Sequence, residues 1–275
     1  MKRLFLPALA LCLLTACATS PTGRRQLMLI SPDAAIVQSK QAYLSTVSDL
    51  DKQNKLLDDP KLADRVATIT GRLVTEAIAL YPQSAKWEWS VAIIDDPKTV
   101  NAWCMAGGRM AVYTGLFDKL KLTDDEFAQI MGHEISHALA NHTAERMSRA
   151  MATSVGILAV GVASDKPVAT MAGGAMAAKL ALELPNSRTA EAEADEIGME
   201  LAVRAGYSPE AAVTLWQKMG SLGGAAPPQF LSTHPAPGNR EAALEKMIPE
   251  MRKLNPTGQL APVTAIEIVR EVPAS

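Results

Sequence analysis

His133-Glu134-Ile135-Ser136-His137 constrains this chain more than any other stretch. It is an H-E-x-x-H pattern, and residues four apart on an α-helix share one face. His133 and His137 then aim ring nitrogens at a common point, which suits a metal ion. Glu134 stands beside them, where a carboxylate can take a proton from water activated by that metal. The flanking residues supply the helix. Thr123-Asp124-Asp125-Glu126 has the form of a capping box. Phe127, Ile130, Met131, Ile135, Ala138 and Leu139 make the apolar stripe that follows. The expected helix runs to about Met147, with acids at its start and Arg146 and Arg149 at its end, as the macrodipole favours.

A catalytic zinc takes three protein ligands and keeps one position open. The chain has 4 histidines. His142 lies about 140° from His137 around a continuous helix, so it reads as a supporting or surface residue. The third ligand is then His234 or a carboxylate. In Ser187-Arg188-Thr189-Ala190-Glu191-Ala192-Glu193-Ala194-Asp195, Glu191 and Asp195 share a helix face. One acid as ligand, with a second holding a histidine N–H, is an arrangement that metal sites use. A solvated helix face looks the same, and spacing alone does not choose Glu191 over Glu193.

The rest of the chain reads as mostly helical α+β. Of its 275 residues, 48% are hydrophobic and only 4% aromatic, which favours helices over a sandwich or barrel. A net charge of −2 gives no reason to expect nucleic acid. Helices are expected from Pro32 to about Leu57, Pro60 to Ala79, Ser187 to Ala205, Ser208 to Met219 and Gly238 to Met251. Alternation over Glu88–Asp95, with short runs at Val100–Met105 and Arg109–Tyr113 around Gly107-Gly108, predicts a sheet of about three strands beside the metal helix. A sheet edge there could pair with an extended peptide. Residues 150–184, almost without charge, read as an apolar helical hairpin: core, lid or membrane-contacting surface. Its arms are too short to span a bilayer.

The N-terminus reads as a targeting segment. Lys2-Arg3 and an apolar run from Leu4 to Leu14 precede Leu14-Thr15-Ala16-Cys17, which looks like a bacterial lipobox. The expected layout is a signal peptide over 1–16, a lipidated Cys17 and tether over 17–31, a domain over 32–252 and a tail over 253–275. Ala18 resembles an outer-membrane sorting signal. Loss of Cys12 and lipidation of Cys17 leave Cys104 as the free thiol, read as a small buried hydrophobe.

H-E-x-x-H followed about fifty residues later by S-R-x-x-E-x-x-A-D resembles the HtpX-like and CAAX-prenyl-protease-like family of gluzincin metallopeptidases. Asn101-Ala102 before Gly107-Gly108, and Ser232-Thr233-His234-Pro235 followed by Arg240, are similar to two further family elements. The Pro21-Thr22-Gly23-Arg24-Arg25 region and lipobox resemble its periplasmic lipoprotein branch. The resemblance implies a zincin-like fold. It implies one Zn2+ on His133, His137 and Glu191, with Glu134 as general base and Asp195 orienting a ligand histidine. His234, with Arg240 nearby, would cap the metal or assist the transition state. The implied activity is zinc-dependent endoproteolysis of misassembled envelope proteins, with unfolded outer-membrane proteins as partners. The alternative is a zinc-stabilised, chaperone-like binder with latent protease activity. Trp103-Cys104-Met105-Ala106 departs from the family's apolar residues after Asn-Ala, which bears on substrate preference.

Overall fold

The computed structural model describes residues 17–163, 186–222, 229–235 and 239–271. The targeting segment 1–16 and the second arm of the apolar hairpin lie outside the described residues. The described residues open with a two-stranded antiparallel hairpin, β1 (Cys17–Thr19) and β2 (Arg25–Leu27). Two helices follow, α1 (Pro32–Asp51) and α2 (Pro60–Leu80), each with a side-chain N-cap and proline in its first turn. A 3-10 turn at Pro82–Lys86 leads to β3 (Ser90–Ile94), β4 (Ala102–Met105) and β5 (Arg109–Tyr113). Then come α3 (Thr114–Leu120), α4 (Asp124–Leu139), α5 (His142–Ala163), α6 (Arg188–Arg204), α7 (Glu210–Ser221), α8 (Gln229–Thr233), α9 (Arg240–Arg252) and β6 (Glu267–Val269). The class is the expected mostly helical α+β.

The main sheet has four strands in the order β4-β5-β3-β6, one more than expected. β3 pairs in parallel with β5 and β6, and β4 runs antiparallel to β5. The extra strand comes from the tail after Asn255, which reads from its sequence as a weak strand or disordered. Its pairing with β3 is non-local and is fixed by docking of the preceding segment, where Thr264 N donates to Gly71 O and Ala261 N to Ala205 O. Both sheet faces are covered. Tyr43 and Val47 of α1 pack on Ala92, Ile94 and Ala111, while Val91, Ile93, Met110 and Val112 face the core shared by α2, α4 and α6. Every residue of β3 is buried, as a central strand between two layers requires. Gly107 and Gly108, at φ +88° and +81°, make the β4–β5 turn, and a Cβ on Gly108 would strike the Trp89 ring. β4 is left at the edge.

Two expectations change. The metal helix does not run to Met147. It stops at Leu139, Asn141 takes a left-handed φ of 57°, and α5 starts afresh at His142. Asparagine tolerates that conformation, so the break falls without glycine or proline to announce it. The segment read as a tether is ordered as the β1–β2 hairpin, because Thr22, Arg24 and Gln26 find partners among Glu193, Glu145 and the Ala140 carbonyl. Among the described residues, no helix is long and apolar enough to cross a membrane.

Candidate metal centre

Two helices build the site. α4 begins with the expected capping box: Glu126 N donates to Thr123 Oγ1 at 3.2 Å, and Thr123 N to Glu126 Oε2 at 2.9 Å. α6 begins at the N-cap Ser187, whose hydroxyl accepts from Ala190 N. The helices touch backbone to backbone at Gly132 and Gly198. A Cβ on Gly132 would sit 2.6 Å from Gly198 O, and one on Gly198 would sit 2.7 Å from His133 N. Glycine at both positions permits that approach. It carries Glu191 against the two α4 histidines.

His133, His137, Glu191 and His234 form one buried group, with a ligand atom from each lying within 4.8 Å of the others. His133 Nε2 and His137 Nε2 are 3.1 Å apart and lie 3.3 and 3.4 Å from the Glu191 oxygens. Each ring's Nδ1 is engaged elsewhere, His133 with Asp195 at 3.0 Å and His137 with His142 Nδ1 at 2.7 Å. The two Nε2 atoms are therefore the ones that converge.

The electrostatics of the cluster fit a cation. Burial drives the His137 pKa well down, which keeps its ring neutral. Burial also opposes charge on His133, yet hydrogen bonds to Asp195 and Glu191 outweigh it and hold that ring up to about 9. Burial alone would raise Glu191, but hydrogen bonds from His133 and His234 keep it far below the usual carboxylate range. Positive charge is thus favoured where the ring nitrogens converge, and imidazole with carboxylate donors suits zinc. Glu134 lies beside the cluster, with Oε1 3.4 Å from His234 Nε2. Burial pushes its carboxyl above the ordinary range, which makes it a better proton acceptor.

The other singled-out residues fall as follows. His234 follows α8 and stacks on Phe230 at 4.4 Å. Its Nδ1 lies 3.1 Å from Glu191 Oε1 and 3.3 Å from His133 Nε2, inside the cluster. Arg240, at the start of α9, donates to Glu191 and Asp195 and lies 3.6 Å over the Trp216 ring. It is fastened to the carboxylates. Glu193, left open by spacing, points away from the cluster and accepts from His142 Nε2 at 3.0 Å. Cys104 is buried, and that burial pushes its thiol well up.

His142, read as a supporting or surface residue, is a supporting one, and Asn186 and Arg146 join it without a signal in the sequence. The wheel that turned His142 away assumed a continuous helix; the break at Asn141 swings it back onto His137. Asn186, one residue before the recognised motif, places Nδ2 3.4 Å from both His137 and His234 and receives a hydrogen bond from Arg146. Arg146, read only as a dipole partner, is a half-buried cation lining the cleft. A cleft of about 520 Å³ opens beside the cluster, lined by Trp103 and Met105 of β4 on one side and by Glu134, Arg146 and Ser232 on others.

A buried His-His-Glu cluster, an adjoining acid and a cleft bounded by an edge strand define a metallopeptidase. Residues 60–248 match the model for peptidase family M48, and the chain belongs to that family. It is 38% identical to the mitochondrial metalloendopeptidase OMA1 of Arabidopsis thaliana over 57% of this chain and 31% of that protein. The Bos taurus OMA1 is 29% identical over 88% of this chain and 48% of its own length. The beta-barrel assembly-enhancing protease of Escherichia coli O157:H7 is 30% identical over 72% and 41%. The chain spans about a third to a half of the length of the curated relatives it matches.

Proposed function

We propose that this protein is a zinc-dependent metalloendopeptidase of the bacterial cell envelope, anchored through a lipid on Cys17, that cleaves misassembled envelope proteins. The observation that carries the reading is the buried convergence of His133, His137 and Glu191 beside Glu134. The lipobox supports the location, although relatives include mitochondrial enzymes as well as a bacterial one. On this reading the protein works at the periplasmic face of a Gram-negative outer membrane, in the HtpX-like lipoprotein branch.

His133, His137 and Glu191 hold the ion, and Asp195 fixes His133 through Nδ1. Bound zinc supplies Lewis-acid polarisation of the scissile carbonyl and acidifies a water. Glu134 takes the proton from the attacking water and returns it to the leaving amine, so the peptide C–N bond breaks with protons balanced. The free edge of β4 aligns an extended substrate by strand pairing. Asn101 Oδ1, buried without a partner at that edge, offers an acceptor to a peptide N–H. Arg240 holds Glu191 and Asp195 in place and stays out of the chemistry.

His234 in the cluster favours a latent resting state. A fourth protein donor fills the position that a catalytic zinc keeps open. The chaperone-like alternative gains from the same observation, because a capped metal leaves a cleft able to bind without cutting. Metal-reconstituted protein should cleave casein and an unfolded outer-membrane protein, and chelation should stop it. Binding without cleavage, persisting after His234→Ala, would favour the binder instead.

A further inference from the structure

The N-terminal hairpin reaches the metal cluster through a continuous line of polar contacts, partly exposed at Thr22 and Arg24 and buried from Glu193 inward. Arg24 Nη1 and Nη2 donate to the two oxygens of Glu145 at 3.0 and 2.7 Å, and Arg24 Nε donates to Glu193 Oε2 at 2.9 Å. Thr22 Oγ1 donates to the other Glu193 oxygen at 2.7 Å. Glu193 accepts from His142 Nε2 at 3.0 Å, and His142 Nδ1 meets His137 Nδ1 at 2.7 Å. Gln26, 2% exposed, closes the join by donating to Glu145 and to the Ala140 carbonyl at the helix break.

The chemistry of these partners fixes where the protons sit. A carboxylate held by Arg24 and Thr22 only accepts, so His142 carries its proton on Nε2. His142 Nδ1 is then a lone pair and must accept from His137 Nδ1–H. That leaves His137 Nε2 without a proton, pointing at the cluster. One tautomer of a ligand histidine is dictated by a residue on the hairpin, about 110 positions earlier in the chain.

We propose that Arg24, Glu193 and His142 are positioning residues through which the docked N-terminal hairpin holds His137 in its metal-binding tautomer and so sets metal affinity. The proposal rests on the reading of His137 as a ligand. Glu193 thereby acquires a role distinct from its neighbour Glu191, one helix serving the ligand set with one acid and its support with another. Disengaging the hairpin weakens the metal site without touching a ligand.

Zinc affinity of the full-length protein, measured by competition with a chromophoric chelator, tests this. His142→Leu removes the acceptor for His137 and should raise the zinc Kd about 10- to 100-fold. His142→Gln restores an acceptor oxygen and should recover most of the loss. Arg24→Ala, at the partly exposed end of the line, should raise the Kd several-fold, and Arg24→Lys should raise it less. The cobalt-substituted protein should show a shifted visible spectrum in the same variants, which lost stability alone would not produce. Zinc Kd values within about twofold of wild type in folded His142→Leu and Arg24→Ala would overturn the relay. If His142→Leu does not fold, Arg24→Ala decides alone. Tight zinc binding by His137→Ala would instead overturn the ligand reading, which separates the two failures.

Discussion

At the scale of single residues, Glu191 carries the densest set of obligations in the protein. It is fully buried and faces His133, His137, His234 and Arg240 at once. Glu191→Ala removes the proposed carboxylate ligand and leaves the Arg240 charge with one carboxylate fewer, a change that buried networks tolerate poorly. Elemental analysis of that variant should find well under one zinc per chain. His234 has the opposite expectation. If its ring occupies the open position at rest, His234→Ala retains zinc and raises peptide turnover by the inverse of the fraction of molecules already open. A loop open about a tenth of the time then gives about a tenfold rise. A drop in turnover at unchanged zinc content would assign His234 to the transition state.

The hairpin supplies a pH prediction at the same scale. Burial would raise Glu145 and Glu193, but Arg24 outweighs it at Glu145, and His142 with the hairpin groups outweighs it at Glu193. Both sit below the ordinary carboxylate value of 4.5. A group depressed in the folded state contributes stability above its unfolded pKa, and that contribution disappears as pH falls through the lower folded value. Thermal midpoints should therefore drop as pH is taken from about 5 to about 3. The drop should be shallower in Glu145→Gln, which carries no titrating carboxylate at that position.

Among elements, the contact of α4 with α6 matters most, because neither helix carries a complete site. The glycine pair at 132 and 198 allows it. Gly198→Ala would put a methyl 2.7 Å from His133 N, where only main chain could yield. Overpacking of this kind costs about 1–3 kcal/mol. It should also move Glu191 from the histidines, so zinc affinity should fall along with the melting temperature. An unchanged zinc Kd in Gly198→Ala would show that the approach is not needed. The elements themselves were legible where local chemistry announces them. Ser31, Asp59, Thr123 and Ser187 each cap a helix that starts at the next residue. The break after Leu139 was not legible, since Asn141 carries no stop signal stronger than its tolerance of positive φ. The break is what turns His142, read as a supporting or surface residue, onto His137.

For the whole molecule, sequence reasoning recovered the pieces joined by motif spacing and lost those joined by docking. H-E-x-x-H, the S-R-x-x-E run and the three central strands were readable because each is local. The tail read only as a weak strand or disordered, and neither its place in the sheet nor the N-terminal hairpin was readable, because both come from partners more than 100 positions away, such as Thr75 with Thr264 and Gln26 with Ala140. The hairpin over residues 17–27 and the segment that ends in β6 both pack on the body that carries the metal cluster. A lipid on Cys17 would hold the metal cleft close to the membrane surface, since the strand it begins pairs with the one next to Arg24.

The central claim is that Glu134 performs proton transfer at a metal held by its neighbours. The most direct measurement is the rate of casein cleavage by zinc-loaded Glu134→Gln against wild type at matched zinc content. Loss of a general base predicts a fall of about 100-fold or more, with one zinc per chain retained. A wild-type rate that remained sensitive to chelation would contradict the account.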